Sequence, residues 1–350
     1  MRVLGVTLGD GRGIGPEVAF KALARTGIAA RGAVLLIAEH QTIQENAESH
    51  GWTKPILEWP GRSQAALGLW WTPPENNPEF RGEADPDGQA ARAAIQSLTT
   101  GSRLALSGQI DALVTGPVNK ASIIRAGVPF VGQTEWLTQL AGNPSTGMLL
   151  LGTDSRQRWL RVLLATTHVP LAAVPGLITQ EGLLASMEMA ARACRDLGLP
   201  MERIAVCGLN PHAGEEGKMG QEEQTILSPA IERALEKGLK VSGPWPGDTV
   251  FRDAIQGRHE VVVAMYHDQG LAPLKLVAFE TGVNWTVGLP YPRTSPDHGT
   301  AFDIAGRGVA DPTSMGEAIE LAWKLVEGRK NPDRNHCVNP ATEISPEGPG

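Results

Sequence analysis

The sequence predicts an α/β protein built from two α/β/α domains. Short aliphatic runs alternate along the chain with longer amphipathic segments, which is the pattern of strands that alternate with helices. The clearest run covers residues 261–264, where four small β-formers predict a buried parallel strand, and the polar sequence MYHDQG at 265–270 predicts a loop at its carboxyl end. In an open α/β sheet, ligands bind beyond the carboxyl ends of the strands. The 350 residues suit two domains of about 150 residues each.

The composition argues against nucleic acid or a membrane as the partner. Net charge is −7, from 31 basic and 38 acidic residues, with no long run of either sign. No apolar run reaches the roughly 18–20 residues of a membrane span, and residues 2–8 already resemble a strand, so we expect neither a membrane helix nor a signal peptide. Cys194, Cys207 and Cys337 lack any CxxC spacing. We therefore expect reduced cysteines and a cytoplasmic protein.

The first third of the chain contains three predicted strands, at residues 2–8, 33–38 and 111–114. The first strand leads into a glycine-rich loop, and Pro16 then opens a helix. The loop spacing is not GxGxxG, and no acidic residue ends a suitable second strand about 20 residues later, so a Rossmann dinucleotide site is not indicated. Residues 53–88 are rich in proline and predict a surface excursion or a short β-insertion before a long helix.

The remaining elements continue the alternation. Two strands near 148–151 and 160–165 are close enough in sequence to form a hairpin. Further helices and strands are predicted at 180–197, 204–207, 222–237 and 313–328. The last residues, 331–350, are rich in proline and poor in apolar side chains, so we predict a mobile tail.

Three histidines, His168, His212 and His267, each follow a predicted strand within a few residues. Zinc and related divalent ions bind imidazole nitrogen, and a catalytic site uses three protein ligands while leaving a position for the substrate. The three histidines do not form a local motif such as HExxH. The pattern by itself therefore leaves two interpretations: a shared metal site, or three loop histidines with separate hydrogen-bond partners.

A second group of side chains could bind an anion. Lys275 and Arg293 lie near strand ends in apolar, glycine- and proline-rich surroundings, where an unpaired cation is costly. Lys120 and Asn284 belong to the same group. A substrate phosphate or carboxylate would satisfy these donors. The alternative is an ion pair within the chain, with Asp268, Asp297 or Asp303 as the partner.

Seven motifs, in order along the chain, resemble those of the 4-hydroxythreonine-4-phosphate dehydrogenase (PdxA) family of pyridoxine biosynthesis. They are GDGRGIGPE at 9–17, TGPVNK at 115–120, GQTEWL at 132–137, THVPL at 167–171, GLNPHAGE at 208–215, MYHDQG at 265–270 and NWTVGLPYPRTSPDHGTAFDIAG at 284–306. Because they occur jointly and in order, the set is far more specific than any single motif. The region 53–88 and the tail carry little of the similarity.

The resemblance implies a fold like that of isocitrate and isopropylmalate dehydrogenases, with the active site in the interdomain cleft. The first domain would comprise residues 1–135 plus 300–330. The second domain, 136–299, would also form the interface of a homodimer with a shared active site. The metal ligands of the family fall on three residues: His168, His212 and His267, the last lent by the neighbouring subunit.

The resemblance also implies the reaction. It is the NAD(P)-dependent, divalent-metal-assisted oxidation and decarboxylation of 4-phosphohydroxy-L-threonine to 3-amino-2-oxopropyl phosphate in pyridoxal phosphate biosynthesis. The metal would be zinc, magnesium, manganese or cobalt, and all-imidazole ligation favours a transition metal. The cofactor would be NAD or NADP, and the motifs assign it no binding residue.

Further roles follow for single residues. The substrate contacts of the family, which bind a small phosphorylated anion, fall on Thr134, Lys275, Asn284 and Arg293. Asp268 is a candidate for orienting a metal-bound histidine, and Lys120 and Asp248 are further candidates for that role or for proton transfer.

Two positions depart from the family motifs. Gln133 stands where the family has G-H-T-E, and GDGRG at 9–13 replaces the usual G-D-P-A-G. Gln133 is still expected at the substrate, but glutamine cannot carry a proton charge at neutral pH. This favours a second hypothesis, a sister dehydrogenase for another acid, such as a phosphorylated four-carbon sugar acid or a cis-dihydrodiol carboxylate. The intact set of histidines with Lys275 and Arg293 argues against a third, a non-catalytic phosphometabolite-binding protein.

Overall fold

A computed structural model describes residues 1–75 and 86–329 of the chain. The strands of these residues are β1 Val3–Thr7, β2 Ala33–Ile37, β3 Ile56–Glu58, β4 Gly68–Thr72, β5 Ala112–Thr115, β6 Gly147–Thr153, β7 Trp159–Leu164, β8 Ile204–Cys207, β9 Val241–Trp245, β10 Val261–Ala264, β11 Val283–Val287 and β12 Arg293–Pro296. Together they form one twelve-stranded sheet in the order β3-β4-β2-β1-β5-β12-β11-β6-β7-β10-β8-β9.

Helices cover both faces of this sheet. They are α1 Gly15–Thr26, α2 His40–Ser49, α3 Pro86–Leu106, α4 Lys120–Arg125, α5 Gln133–Leu140, α6 Val174–Leu177, α7 Gln180–Asp196, α8 Ser228–Glu236, α9 Val250–Ile255, α10 His267–Ala278 and α11 Thr313–Arg329. Short 3₁₀ turns cover Ile28–Ala30, Leu171–Ala173 and Pro211–Gly217, and a π-helical turn covers Glu223–Leu227.

Most predicted elements lie within a few residues of their expected positions. The run at 261–264 is strand β10, which is fully buried and parallel to both β7 and β8. Strands β6 and β7 form the predicted hairpin. The prediction of a loop at 265–270 was wrong, because α10 begins at His267. Its apolar face comes from Leu271, Leu274 and Ala278, which are three and four positions apart and buried.

The sheet consists of two parallel groups of strands that run in opposite directions. One group is β3, β4, β2, β1, β5 and β12, and the other is β7, β10, β8 and β9. Between them, β11 and β6 pair antiparallel with both of their neighbours. Because of these reversals, the strands of the two groups point in opposite directions. Their carboxyl ends therefore lie along opposite edges of the sheet, where an edge means the row of strand ends and not an outermost strand. The predicted domain boundaries stay predictions, since one sheet runs through both segments.

The two faces of the sheet are covered differently. On one face, a continuous apolar core extends from Leu4 in β1 to Val263 in β10, under α1, α7, α8 and α11. On the other face, the apolar side chains form two separate clusters, one under α3, α4 and α5 and one under α9 and α10. Strands β12 and β11 lie between these two clusters. We call the gap above them the central cleft.

Three other predictions can be compared with the described residues. The predicted β-insertion corresponds in part to β3 and β4, which extend the sheet beyond β2. Cys194 and Cys207 are buried and free, whereas Cys337 and the predicted tail at 331–350 lie outside the described residues. Among the helices of the described part, none is both long enough and apolar enough to cross a membrane.

Trp285 should make a large contribution to stability, because it joins the centre of β11 to the continuous core. It is 2% exposed, and its backbone pairs with Leu149 on one side and Thr294 on the other. We expect Trp285→Ala to lower the free energy of unfolding by about 3–5 kcal/mol in urea titrations. Val309→Ala, at a side chain that is 65% exposed, is the control and should change stability by less than about 0.5 kcal/mol. Equal effects of the two substitutions would contradict this assignment.

Candidate functional site

The floor of the central cleft is polar although its strands are buried. In β11, Asn284 and Thr286 alternate with apolar residues that belong to the continuous core, so they lie on the cleft face. Across the antiparallel pair, Arg293 lies opposite Thr286, and Ser295 lies opposite Asn284. The cleft face of these strands therefore carries hydrogen-bonding groups where a covering helix would need apolar side chains.

Arg293 is a buried cation whose hydrogen-bond partners in the described residues are all neutral. It is 2% exposed. Its Nε and Nη2 donate to Thr115 Oγ1 at 3.1 and 2.6 Å, its Nη1 donates to Thr286 Oγ1 at 3.0 Å, and its Nη2 also donates to Gln133 Oε1 at 3.0 Å. Burial lowers the pKa of the guanidinium from 12.5 to about 10, so it stays charged at neutral pH. A buried cation without a paired carboxylate is stabilised by an anionic ligand.

Gln133, the first residue of α5, holds the guanidinium in place. Its Oε1 accepts from Arg293, and its Nε2 donates to the carbonyl oxygen of Gly116 at 3.1 Å. An imidazolium has no acceptor, so it could not accept a hydrogen bond from the guanidinium. The amide therefore gives Arg293 a neutral partner whose charge does not change with pH.

A cavity of about 580 Å³ lies beside the cleft floor. Its lining includes Thr134 of α5 and Met148 of β6, which pairs with Thr286 of the floor. It also includes Thr166 and Thr167, which follow β7 and directly precede His168. A ligand in this cavity would contact the loop that leads to His168 and would lie next to the polar floor.

Lys275 and Asn284 differ in how their polar atoms are satisfied. Lys275 Nζ pairs with Asp297 Oδ2 at 3.0 Å, so the ion pair within the chain is formed at this position, although the lysine side chain remains 40% exposed. Asn284 Oδ1 is buried and has no hydrogen-bond partner within residues 1–75 and 86–329. Because buried polar atoms are nearly always satisfied, this oxygen marks a place for a donor from a ligand.

His168 and His267 lie side by side, with 5.3 Å between their ring centroids. Their strands, β7 and β10, are adjacent and parallel, and each strand presents its histidine at the same edge of the sheet. The Nδ1 of His267 is 2.7 Å from Oδ1 of Asp268. Metal-binding histidines commonly engage a carboxylate in this way, which turns Nε2 toward the ion.

His212 follows β8, the next strand along the same edge. Its Nδ1 is 2.5 Å from Oε1 of Glu215. This hydrogen bond, together with the negative charges of Glu215 and Asp248, raises the pKa of the exposed imidazole above 6.5. His212 and Asp248 also line a cavity of about 510 Å³. His212 is thus a second histidine whose Nδ1 is held by a carboxylate.

The backbone that carries His212 is strained. His212, Ala213, Glu215 and Glu216 have φ values of 53°, 54°, 43° and 57°, and Gly214 between them has a φ of 82°. The left-handed helical conformation costs about 1–2 kcal/mol for each residue with a side chain. Such strain persists only where the surrounding structure holds it, and it concentrates at functional sites.

The described residues of the single chain do not form a complete metal site. In the described ranges, no three His, Cys, Asp or Glu side chains are close enough together to hold a metal ion. The fold pairs His168 with His267, and His212 does not complete a cluster of three with them. Imidazoles held through Nδ1 nevertheless suit a divalent transition metal.

Lys120 lies away from the histidines. It is exposed at the start of α4, after β5, whose carboxyl end is at the opposite edge of the sheet. Conversely, Thr115 and Thr286 hold Arg293 but were not among the predicted site residues. The signal for Thr286 was present in the sequence as polar residues that alternate with apolar ones in a buried strand, VNWTV. Thr115 is the last residue of β5, ALVT, and carries no such pattern.

The departure GDGRG has a structural explanation. Arg12 forms ion pairs with Asp10 and Asp87, and its guanidinium lies 5.3 Å from the centre of the Phe302 ring. Asp10 is buried, so Arg12 supplies its counter-charge. This residue ties the glycine-rich loop to α3 and to the loop after β12.

Comparison with known proteins identifies the family. The family model described as "Pyridoxal phosphate biosynthetic protein PdxA" matches residues 37–322. The chain belongs to the PdxA family. A 4-hydroxythreonine-4-phosphate dehydrogenase of Ruegeria sp. (strain TM1040) is 41% identical over 334 residues, which cover 94% of this chain and 98% of the relative.

Solved structures agree with this membership. The 4-hydroxythreonine-4-phosphate dehydrogenase of Klebsiella pneumoniae has a TM-score of 0.78 at 37% identity, covering 93% of this PdxA-family chain and all of that one. A terephthalate 1,2-cis-dihydrodiol dehydrogenase from Burkholderia xenovorans LB400 has a TM-score of 0.66 at 27% identity, with 92% and 98% covered. A more distant isocitrate dehydrogenase from Methylococcus capsulatus, 15% identical with a TM-score of 0.50 over 96% and 88%, shares the fold. The predicted family and fold are confirmed.

The anion-binding role of Arg293 can be measured with inorganic phosphate. We expect Arg293→Lys to weaken phosphate binding at least about tenfold, because an ammonium keeps the charge but cannot reproduce the planar set of donors. Isothermal titration with phosphate measures the change. Arg258→Lys, at an exposed guanidinium paired with Asp253, is the matched control and should bind phosphate like the unaltered protein. Equal affinity in the Arg293 variant would contradict an anion site on the cleft floor.

Proposed function

We propose that this PdxA-family protein is an NAD(P)-dependent 4-hydroxythreonine-4-phosphate dehydrogenase. It oxidises and decarboxylates 4-phosphohydroxy-L-threonine to 3-amino-2-oxopropyl phosphate in pyridoxal phosphate biosynthesis. The observation that carries the proposal is the buried Arg293 guanidinium, whose described partners are neutral, in a chain 41% identical to a relative named for this activity. A substrate with a phosphate and a carboxylate supplies the negative charge that this cation requires.

The substrate would bind along the cleft floor. Arg293, fixed by Thr115 and Gln133, offers a planar donor set for an anionic group. The unpartnered Oδ1 of Asn284 would accept a hydrogen bond from the substrate, and Lys275 adds a positive charge that it shares with Asp297. Several contacts of this kind orient the reacting carbon and so lower the barrier to its oxidation.

A divalent metal ion would be held by His168, His212 and His267. When bound, it would lower the pKa of the substrate hydroxyl that is oxidised and stabilise the negative charge that develops on decarboxylation. Asp268 and Glu215 support this assignment, because each engages the Nδ1 of a histidine. An all-imidazole site favours zinc or cobalt over magnesium.

Proton transfer would fall to a group near the histidines. Asp268 is hydrogen-bonded to His267, and Asp248 shares a cavity with His212, so both carboxylates lie where a proton could be exchanged with the substrate or with water. Lys120, at the opposite edge of the sheet, is the less favourable candidate for this step.

The nicotinamide cofactor of a dehydrogenase would fit beside the glycine-rich loop. The amino end of α1 has no side-chain cap, and such a helix end attracts an anion such as the pyrophosphate of a dinucleotide. The adjacent loop approaches closely, with Ile14 N donating to Thr300 O at 2.9 Å. Nearby, the Nε2 of His298 is buried without a hydrogen-bond partner among the described residues, so it is available to a ligand.

A homodimer with a shared active site would complete the histidine site. Large apolar side chains are exposed after His168 and along α10: Leu171 and Leu177 follow His168, and Leu276 and Phe279 lie at the end of α10 that is away from His267. They are 67%, 51%, 88% and 69% exposed, respectively. A surface of this kind is covered by a partner in many oligomers, and a second copy would bring the missing ligand to each site.

The activity is tested with a panel of acids. We expect the metal-loaded protein to reduce NAD or NADP with 4-phosphohydroxy-L-threonine, and we expect chelation with EDTA to abolish this activity until zinc, manganese or cobalt is added back. Nicotinamide absorbance measures the rate. Absence of turnover of this substrate by the metal-loaded protein would contradict the proposal.

The same panel tests a second candidate, a sister dehydrogenase for another acid. The observation that favours it is Gln133, which keeps the anion-binding floor free of a titrating imidazole. A phosphorylated four-carbon sugar acid and a cis-dihydrodiol carboxylate represent its substrates. If either gives a kcat/KM at least about tenfold above that of 4-phosphohydroxy-L-threonine, the second candidate replaces the first.

Mixed dimers test how the metal site is shared. If His168 and His212 of one subunit join His267 of the other, a dimer of one His168→Ala chain and one His267→Ala chain keeps one intact site. Tandem affinity purification of doubly tagged mixed dimers should then recover about half of the unaltered activity, although each variant alone is inactive.

The matched control is the mixed dimer of His168→Ala and His212→Ala chains. It has no intact site under this arrangement and should be inactive. The reverse result, activity in the His168–His212 mixture and none in the His168–His267 mixture, would show that His212 is the ligand that crosses the interface.

A further inference from the structure

The turn that carries His212 is held by a single buried carboxylate. Glu223 is 3% exposed. Its Oε1 accepts the backbone N–H groups of Leu209 at 2.8 Å and of Asn210 at 2.7 Å. Its Oε2 accepts from Asn210 Nδ2 at 2.9 Å. Three hydrogen bonds to Glu223 therefore fix the entry to the left-handed turn, two residues before the histidine, and Asn210 Nδ2 also donates to Oε2 of the less buried Glu222 at 2.8 Å.

The turn packs closely around the carboxylate of Glu223. A Cβ atom added to Gly214 would lie 2.6 Å from Oε2 of Glu223, so only glycine permits this approach. On the other side, a Cβ atom added to Gly208 would lie 3.3 Å from Oε1 and only 2.7 Å from the Cα of Ala213, which is part of the same turn. The positive φ of Gly214 is part of the same arrangement.

Glu223 is positioned by an irregular turn of helix. It is the first residue of the π-helical turn Glu223–Leu227, which continues directly into α8. Single π turns of this kind are found mostly where a helix must present a particular side chain. The following residues pack normally, since Leu227 and Ala230 belong to the continuous core. The π-helical turn thus directs the carboxylate of Glu223 at the loop after β8, while the rest of the helix packs in the core as usual.

We propose that Glu223 is a positioning residue for His212: its carboxylate holds the left-handed turn in the strained shape that presents the imidazole to the metal ion. This inference rests on the proposed function, in which His212 is a metal ligand. The residue does not touch the substrate or the metal. It acts through the backbone of Leu209 and Asn210, whose N–H groups converge on one carboxylate oxygen.

The test is Glu223→Gln, which keeps the shape of the side chain. An amide oxygen can still accept the two backbone N–H groups, but the amide nitrogen would face the donor Nδ2 of Asn210. We expect Co²⁺ affinity, measured by isothermal titration calorimetry, to fall about 10–100-fold, as it does when supporting groups around metal ligands are changed. The kcat for 4-phosphohydroxy-L-threonine should return to within about twofold of the unaltered value at saturating Co²⁺.

Two further measurements separate positioning from a general loss of structure. Hydrogen exchange of the metal-free variant should be faster at residues 209–217 and unchanged in β10 and α11. Glu232→Gln, at an exposed carboxylate of α8, is the matched control and should leave exchange and Co²⁺ affinity unchanged. If Glu223→Gln does not fold, Glu223→Asp keeps the charge on a shorter side chain and should show the same loss of affinity.

The outcomes distinguish this inference from the proposed function. An unaltered protein that binds no Co²⁺ overturns the metal site and this inference with it. An unaltered protein that binds Co²⁺, with a Glu223→Gln variant that binds it equally well, overturns only the role of Glu223. A kcat that stays low at saturating Co²⁺ also overturns the role of Glu223. A higher metal concentration compensates for a displaced ligand, but it does not compensate for a damaged fold.

Discussion

The structure depends on a strand that is apolar on one face and polar on the other. In β11 the apolar face completes the continuous core, whereas the opposite face, shared with its neighbour β12, carries Asn284, Thr286 and Arg293. Because buried polar groups need partners, no helix can cover this face with apolar side chains. The helices of that side divide into two groups, and the cleft between them follows from this division. The position of the active site is thus a consequence of strand alternation.

The two halves of the site differ in their charged groups. On the cleft floor, a buried cation is surrounded by hydroxyl and amide oxygens, so its charge is left for a ligand. At the histidine edge, carboxylates engage the Nδ1 atoms of His212 and His267, so the imidazoles are oriented before a metal arrives. The substrate of the proposed reaction needs both, since its anionic group must be fixed while its hydroxyl group is activated.

The sequence could predict that the three histidines and Arg293 lie near strand ends, because each lies next to an apolar run that is visible in the sequence. Their roles stay predictions. The sequence could not predict the reversal of strand direction, since β11 pairs with β6, a strand far away in the sequence. Helix α10 was missed because its first residues are polar and Pro273 interrupts its pattern. Glu223 was not predicted either, because two of its three hydrogen bonds go to backbone groups, which leave no trace in residue types.

The continuous core beneath the floor limits how the cleft can move. Two domains with separate cores can close like a hinge, with a few loop residues absorbing the rotation. Here one sheet and one core extend under both halves, and close-packed interiors resist bending. We therefore expect any movement around the cleft to involve the helices above the floor more than the sheet. For the same reason the two halves should melt together, in one cooperative transition.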